Sequence, residues 1–219
     1  MLIVCISASN MKFAGNNSTS IKTCNLIKDI IERKTNKEAK VEVISLVDYE
    51  LKPCIGCGKC IDMDSCINDI NFSNIYKILM KADALFIVSA HYAPIPSKLS
   101  MLLEKIEQLA FLKRFRNEEY RSHLFHKPVG IIGHGGGTKE IIEYYKSPVL
   151  DTIWNALSYP VEMNIIGLDD EQKHGVVFPV KRVTKDINSV FPIQEYDWMD
   201  IENIINPLID SVLENILFT

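Results

Sequence analysis

Leu2-Ile3-Val4-Cys5-Ile6-Ser7-Ala8-Ser9, running into Gly15-Asn16-Asn17-Ser18-Thr19, is the stretch that decides the fold. Five consecutive apolar residues suit a strand covered on both faces, since a half-exposed strand would alternate apolar and polar residues. A turn rich in hydroxyls and amides follows, and beyond Ser18 the apolar period changes. Ser20, Cys24, Ile27 and Ile31 fall at i, i+4, i+7 and i+11, which predicts a helix over residues 18–33 with one buried face. Cys24 then reads as a small core residue rather than a ligand.

The same alternation continues outward. Short apolar runs at 2–6, 41–46, 84–89, 129–133 and 161–166 predict strands, with helical segments between most of them. Such a pattern indicates a parallel sheet covered by helices on both faces, an α/β architecture. At the far end Ile201, Ile204, Ile205, Leu208, Ile209, Val212, Leu213 and Ile216 keep helical spacing, with Asp200 as the expected cap. Pro207 either kinks this helix or marks its first turn after Asn206. Residues 113–126 and 177–198 are weakly periodic and read as excursions from the scaffold. The expectation is one domain over 1–219, with a cysteine-rich loop at 53–67 and a C-terminal extension at about 168–219.

Lys and Arg number 24 against 28 Asp and Glu, so no basic field exists to gather a nucleic acid. The first apolar run is too short for a signal peptide, and no run approaches the roughly 20 apolar residues of a spanning helix. A cytoplasmic protein without a membrane or nucleic-acid partner is expected.

In an open parallel sheet, ligands bind at the carboxyl ends of strands where the winding direction reverses. Three loops leave such ends. The first, from Ser7 and Ser9 to Asn17, Ser18 and Thr19, feeds a helix N-terminus and suits a phosphate; an ordinary polar loop with Ser18 as N-cap is the alternative. The second, Ala90-His91-Tyr92-Ala93-Pro94, offers a face for a planar ring, or simply a rigid turn. The third, His134-Gly135-Gly136-Gly137, lets backbone amides approach a ligand edge. A His-Gly-Gly-Gly run also suits a hydrolase oxyanion loop, but there is no G-x-S-x-G nucleophile elbow. Neither G-x-G-x-x-G nor a P-loop is present. Phosphate donors, a ring face and a set of amides together are what a flavin mononucleotide (FMN) requires. His91 and His134 are candidate proton donors, and no catalytic side chain is assigned.

Cys54, Cys57, Cys60 and Cys66 form C-x2-C-x2-C-x5-C, a spacing that suits an iron–sulfur cluster. Zinc, which more often pairs two C-x2-C hooks, and unmetallated or disulfide-bonded thiols are the alternatives.

These residues resemble the iron–sulfur flavoproteins within the NADPH-dependent FMN reductase branch of flavodoxin-like proteins. The likeness runs over most of residues 2–167. Its most specific stretch is Pro53-Cys54 through Cys60 and Cys66, then Asn68-Asp69 and Lys81-Ala82-Asp83-Ala84. In the first loop Ser7, Asn17 and Ser18 match the family, whereas Ile6, Ala8 and Ser9 depart and the family's arginine is absent. In the second, Ser89, Tyr92 and Leu99 match, Glu104 and Lys105 are conservative, and Ala90 and His91 depart. The run Gly135–Gly137 is similar to the family's third flavin loop.

The resemblance implies a doubly wound five-stranded sheet of order 2-1-3-4-5. It places the phosphate on Ser7, Asn17, Ser18 and Thr19, the flavin ring between the Tyr92 loop and residues 134–137, and a [4Fe–4S] cluster on the four cysteines. It also implies a homodimer or homotetramer exchanging electrons with NAD(P)H or a redox partner protein. A non-catalytic electron carrier and a cluster-free flavin or quinone reductase are the competing expectations.

Overall fold

Strand β1 (Leu2–Ala8) is paired on both sides, parallel to β2 (Lys40–Ser45) on one and to β3 (Ala84–Ala90) on the other. This computed structural model describes residues 1–187 and 191–216. Strand β4 (Pro128–His134) continues beside β3, and β5 (Asn164–Ile166) beside β4, so the order is β2-β1-β3-β4-β5. The doubly wound parallel sheet expected from the sequence is therefore present. Its winding reverses between β1 and β3, which opens a crevice at their carboxyl ends.

A sixth strand was not expected. β6 (Val176–Phe178) lies parallel to β4 beside Ile132–His134, while β5 pairs with Pro128–Gly130. Two three-residue strands thus share one sheet position, too short for either to show a period. β5 also starts later than residue 161, because Glu162 adopts φ 58° and turns the chain before the ladder begins.

Alternate residues of β1 feed two cores. Val4 and Ile6 pack with α2 (Ile70–Lys81), α3 (Ser97–Arg116) and the helical run α4 (Glu143–Lys146), a π turn (Ser147–Asp151) and α5 (Thr152–Leu157). Ile3 and Cys5 pack with α1 (Thr19–Lys34) and α6 (Trp198–Ile216) on the opposite face. Ser20, Cys24, Ile27 and Ile31 are all buried, as their spacing predicted.

Other boundaries are corrected. α6 begins at Trp198, so Asp200 is inside it, and the Asp197 carboxylate accepts from the Asp200 amide at 3.3 Å. Pro207 lies in the helix interior, where it leaves the Asn203 carbonyl without its usual donor. Lys113 belongs to α3 rather than to an excursion. Within the second excursion, β7 (Arg182–Thr184) and β8 (Ile193–Glu195) form an antiparallel hairpin. Among the described residues, no helix is long and apolar enough to cross a membrane.

Candidate cofactor-binding site

At the carboxyl ends of β1, β3 and β4 lies a cavity of about 450 Å³, within the usual size of small-molecule sites. Ser9, Asn17, Ser18 and Thr19 line it from the first loop, Ala90, His91 and Tyr92 from the second, and His134, Gly135 and Gly136 from the third. The three loops singled out in the sequence therefore meet at one place. Ser7, Ala93 and Gly137 fall outside the lining. Ser7 is buried below it, Ala93 is exposed, and the Gly137 carbonyl accepts from the Val180 amide at 2.9 Å.

The first loop ends as a helix cap. Ser18 adopts an extended conformation, and its hydroxyl accepts from the Ile21 amide at 3.4 Å. The Lys22 amide makes the first helical bond to the Ser18 carbonyl, at 3.0 Å, while the amides of Thr19 and Ser20 have no partner among the described residues. The Ser7 hydroxyl, 1 % exposed, likewise has none. Buried polar groups of this kind are ordinarily bonded. Unpartnered donors beside a helix N-terminus fit the phosphate end of a flavin mononucleotide.

His134 ends β4 and is buried, and its ring stacks on Phe178 at 5.3 Å. Its Nε2 lies 2.8 Å from the Ser20 hydroxyl, which itself donates to the Ala8 carbonyl at 3.2 Å. The hydroxyl has one proton, so the pattern assigns the ring proton to Nε2, which donates to Ser20. Burial pushes the His134 pKa down to about 4, and the ring is neutral at physiological pH. The expected proton donor is thus a neutral clamp between β4 and α1. Between about pH 6.5 and 4 the unfolded histidine binds a proton that the folded one refuses, so stability falls as pH drops through that window. The expected loss over that window is about 3 kcal/mol. Urea midpoints of His134→Gln should lack this component between pH 6.5 and 4, and a slope equal to the wild type's would refute the assignment.

His91 sets the second loop against the third. Its amide donates to the His134 carbonyl at 2.8 Å, and its ring meets Tyr145 edge to face at 4.8 Å. Tyr92 is half-buried with its hydroxyl bonded to Ser9, and burial raises its pKa. In the glycine run the physical need is packing: a Cβ on Gly135 or Gly137 would collide with the Tyr145 ring. Gly136 instead faces the Gln194 side-chain amide.

Several lining residues were missed. Phe191, Pro192, Gln194, Tyr196 and Trp198 close the outer wall from the C-terminal extension. The Tyr196 hydroxyl donates to Gln194 Oε1 at 2.6 Å and also pairs with Thr19, so the extension grips the start of α1. A dense Phe-Pro-Ile-Gln-Glu-Tyr-Asp-Trp run was the available signal. Lys22, one turn into α1, was missed as well.

The four cysteines lie in the loop between β2 and α2, and all four line a second cavity, of about 100 Å³. Cys57 is exposed and the others are half-buried; burial, then the neighbouring thiols, pushes the Cys60 thiol up. The Asn68 side-chain amide donates to Cys57 Sγ at 3.4 Å. Asp69 caps α2, accepting from the Phe72 amide at 3.0 Å, and pairs with buried Lys105 at 2.7 Å. Glu104 accepts from the Cys54 amide at 3.1 Å, and Lys113 and Arg116 pair with Asp64 and Asp62. Among the described residues, no three His, Cys, Asp or Glu side chains converge on a single metal-ion position. A tetrahedral zinc ion demands such convergence, with all sulfurs about 2.3 Å from one point. A cuboidal cluster instead needs thiols spread around a common space.

A sequence model of the NADPH-dependent FMN reductase family matches residues 1–165. An iron–sulfur flavoprotein of Methanocaldococcus jannaschii is 29 % identical over 96 residues, covering 42 % of this chain and 49 % of that protein. The matched region thus spans about half the length of that curated relative. Among solved structures, an oxidoreductase from Corynebacterium diphtheriae superposes with a TM-score of 0.59 at 14 % identity, covering 100 % of this chain and 97 % of the other. Flavodoxin 2 from Bacillus cereus superposes with a TM-score of 0.50 at 12 % identity, covering 97 % of each chain. Both structural likenesses concern the fold.

Proposed function

The chain belongs to the NADPH-dependent FMN reductase family, and from that premise we propose that it is an FMN-dependent oxidoreductase supplied with electrons by NAD(P)H. The observation that carries this reading is the meeting of three loops around one cavity that Ser18 and Thr19 line at the N-terminus of α1, where the amides of Thr19 and Ser20 are free. FMN, when bound, supplies a ring able to take one or two electrons. In this reading Ser9, Asn17, Ser18 and Thr19 hold the phosphate end with Ser7. Ala90, His91 and Tyr92, continuing to Ala93, form one side of the ring site, and His134 to Gly137 form the other. His134 keeps the β4 end fixed and uncharged, and the wall from Gln194 to Trp198 limits water entry.

A finer reading adds a [4Fe–4S] cluster on Cys54, Cys57, Cys60 and Cys66. The support for it is the C-x2-C-x2-C-x5-C spacing, the placing of all four cysteines along one cavity, and an amide donor on Cys57. The likeness to an iron–sulfur flavoprotein favours it too. Thiolate ligands with N–H donors nearby are the usual means of setting a cluster's potential.

One experiment tests both readings. Protein purified anaerobically should carry flavin, iron and sulfide, and should oxidise NAD(P)H. Cys57→Ser should lose iron and keep FMN, because the two cavities are built from different loops. Flavin without iron or sulfide would remove the cluster. Reduction solely by a ferredoxin-like protein would make the chain an electron carrier. Failure to bind FMN would overturn the whole reading.

A further inference from the structure

Lys22 is the single Lys or Arg among the described residues that line the 450 Å³ cavity. Its backbone position is unusual for a cation. It sits in the opening turn of α1, where the positive end of the helix dipole disfavours positive charge, and no acidic residue occupies that turn to offset it. Nor does its ammonium group make an ion pair with any described residue. Two positive features, the Lys22 ammonium and the helix N-terminus with its free Thr19 and Ser20 amides, thus lie at the same cavity. Such an arrangement is unfavourable when empty and favourable around a dianion.

We propose that Lys22 is the cationic ligand of the FMN phosphate, supplying from the first turn of α1 a charge that no residue of the first loop brings to the cavity. This deepens the FMN reading above and depends on it. The long, exposed side chain reaches the cavity from a helix that Tyr196 and Ser20 hold in place, so the charge is mobile while its base is fixed. The loop's own lysine, Lys12, does not line the cavity and serves as the comparison.

The test compares FMN with riboflavin, which differ by the phosphate, using quenching of flavin fluorescence on apoprotein. Lys22→Ala should weaken FMN by about tenfold or more, as expected for a hydrogen bond to a charged group. Riboflavin affinity should stay within about twofold, which also shows that the variant is folded. Lys22→Arg should restore most of the FMN affinity, Lys12→Ala should leave it unchanged, and the salt dependence of FMN binding should flatten in Lys22→Ala. Equal losses for FMN and riboflavin, or an unchanged FMN affinity, would overturn the role of Lys22 while the cofactor reading stands. A wild-type protein that binds neither flavin would overturn both.

Discussion

Replacing Lys105 with methionine is expected to lower the unfolding free energy by about 3–5 kcal/mol, because it strands a buried carboxylate. The Lys105 and Asp69 side chains are 4 % and 1 % exposed and meet at 2.7 Å. Lys105 also donates to the Lys52 carbonyl and lies over the Phe72 ring, with 5.5 Å to its centroid. Asp69 accepts from the Lys52 amide at 2.8 Å besides capping α2. One ion pair therefore joins α3, the start of α2 and the entry to the cysteine loop. Although burial alone would raise it, the bonds from Lys105, Lys52 and Phe72 hold the Asp69 pKa below the usual carboxylate value. The stability this contributes is present above the unfolded pKa and lost as pH falls through the folded one.

Urea midpoints give the direct check, and the thiols of Cys54 and Cys57 should react faster in Lys105→Met as the loop loosens. A double replacement, Lys105→Met with Asp69→Leu, should recover much of the loss, since an apolar pair leaves no buried charge. A midpoint shift no larger than that from removing the exposed pair Lys40–Glu42 would show that Lys105 is not buried as described.

Gly175→Ala should cost about 3 kcal/mol or more and should weaken FMN binding with it. Gly175 has φ 122°, and an added Cβ would run into the Ile131 carbonyl oxygen, with the carbonyl carbon only 2.9 Å away. Neither side can yield. Ile131 lies in the middle of β4, and the chain before Gly175 is pinned by His174, whose Nδ1 meets Asp151 Oδ1 at 2.7 Å and whose ring stacks on Trp154 at 4.3 Å. Displacing Gly175 would pull β6 from β4 and Phe178 from both His134 and Tyr196. The outer wall of the cavity would move with it. Thermal unfolding and FMN titration of the variant test the link; a variant that melts and binds like the wild type would contradict the close approach.

Long apolar runs and extended helical periods were legible in the sequence, whereas three-residue strands carried no period. The runs that became β1, β3 and β4 were recognisable because strands buried on both faces must be apolar throughout. Helix α1 was recognisable from its buried face and from Ser18, whose hydroxyl serves the Ile21 amide. Cap placement failed at α6 because Asp197 and Asp200 are equally suitable residues three positions apart, and only the backbone shows which precedes the first turn. Of the residues proposed for the cavity, ten line it, whereas Ser7, Ala93 and Gly137 do not. Adjacency in sequence does not decide which side of a loop meets a cavity.

For the Ser7–Thr19 stretch, the amino-acid sequence alone determined a buried strand, a polar turn and a capped helix, because each depends on residues within a few positions of one another. Tertiary structure decided what that turn faces. His134 reaches Ser20 across 114 positions, Tyr196 reaches Thr19 from the C-terminal extension, and β6 supplies Phe178 from three residues with no readable period. Such contacts form only when distant segments are packed together, and no local pattern specifies them. Lys22 belongs to both levels: its place in the first turn of α1 was written in the chain, while the cavity that gives its charge a purpose exists only in the folded protein.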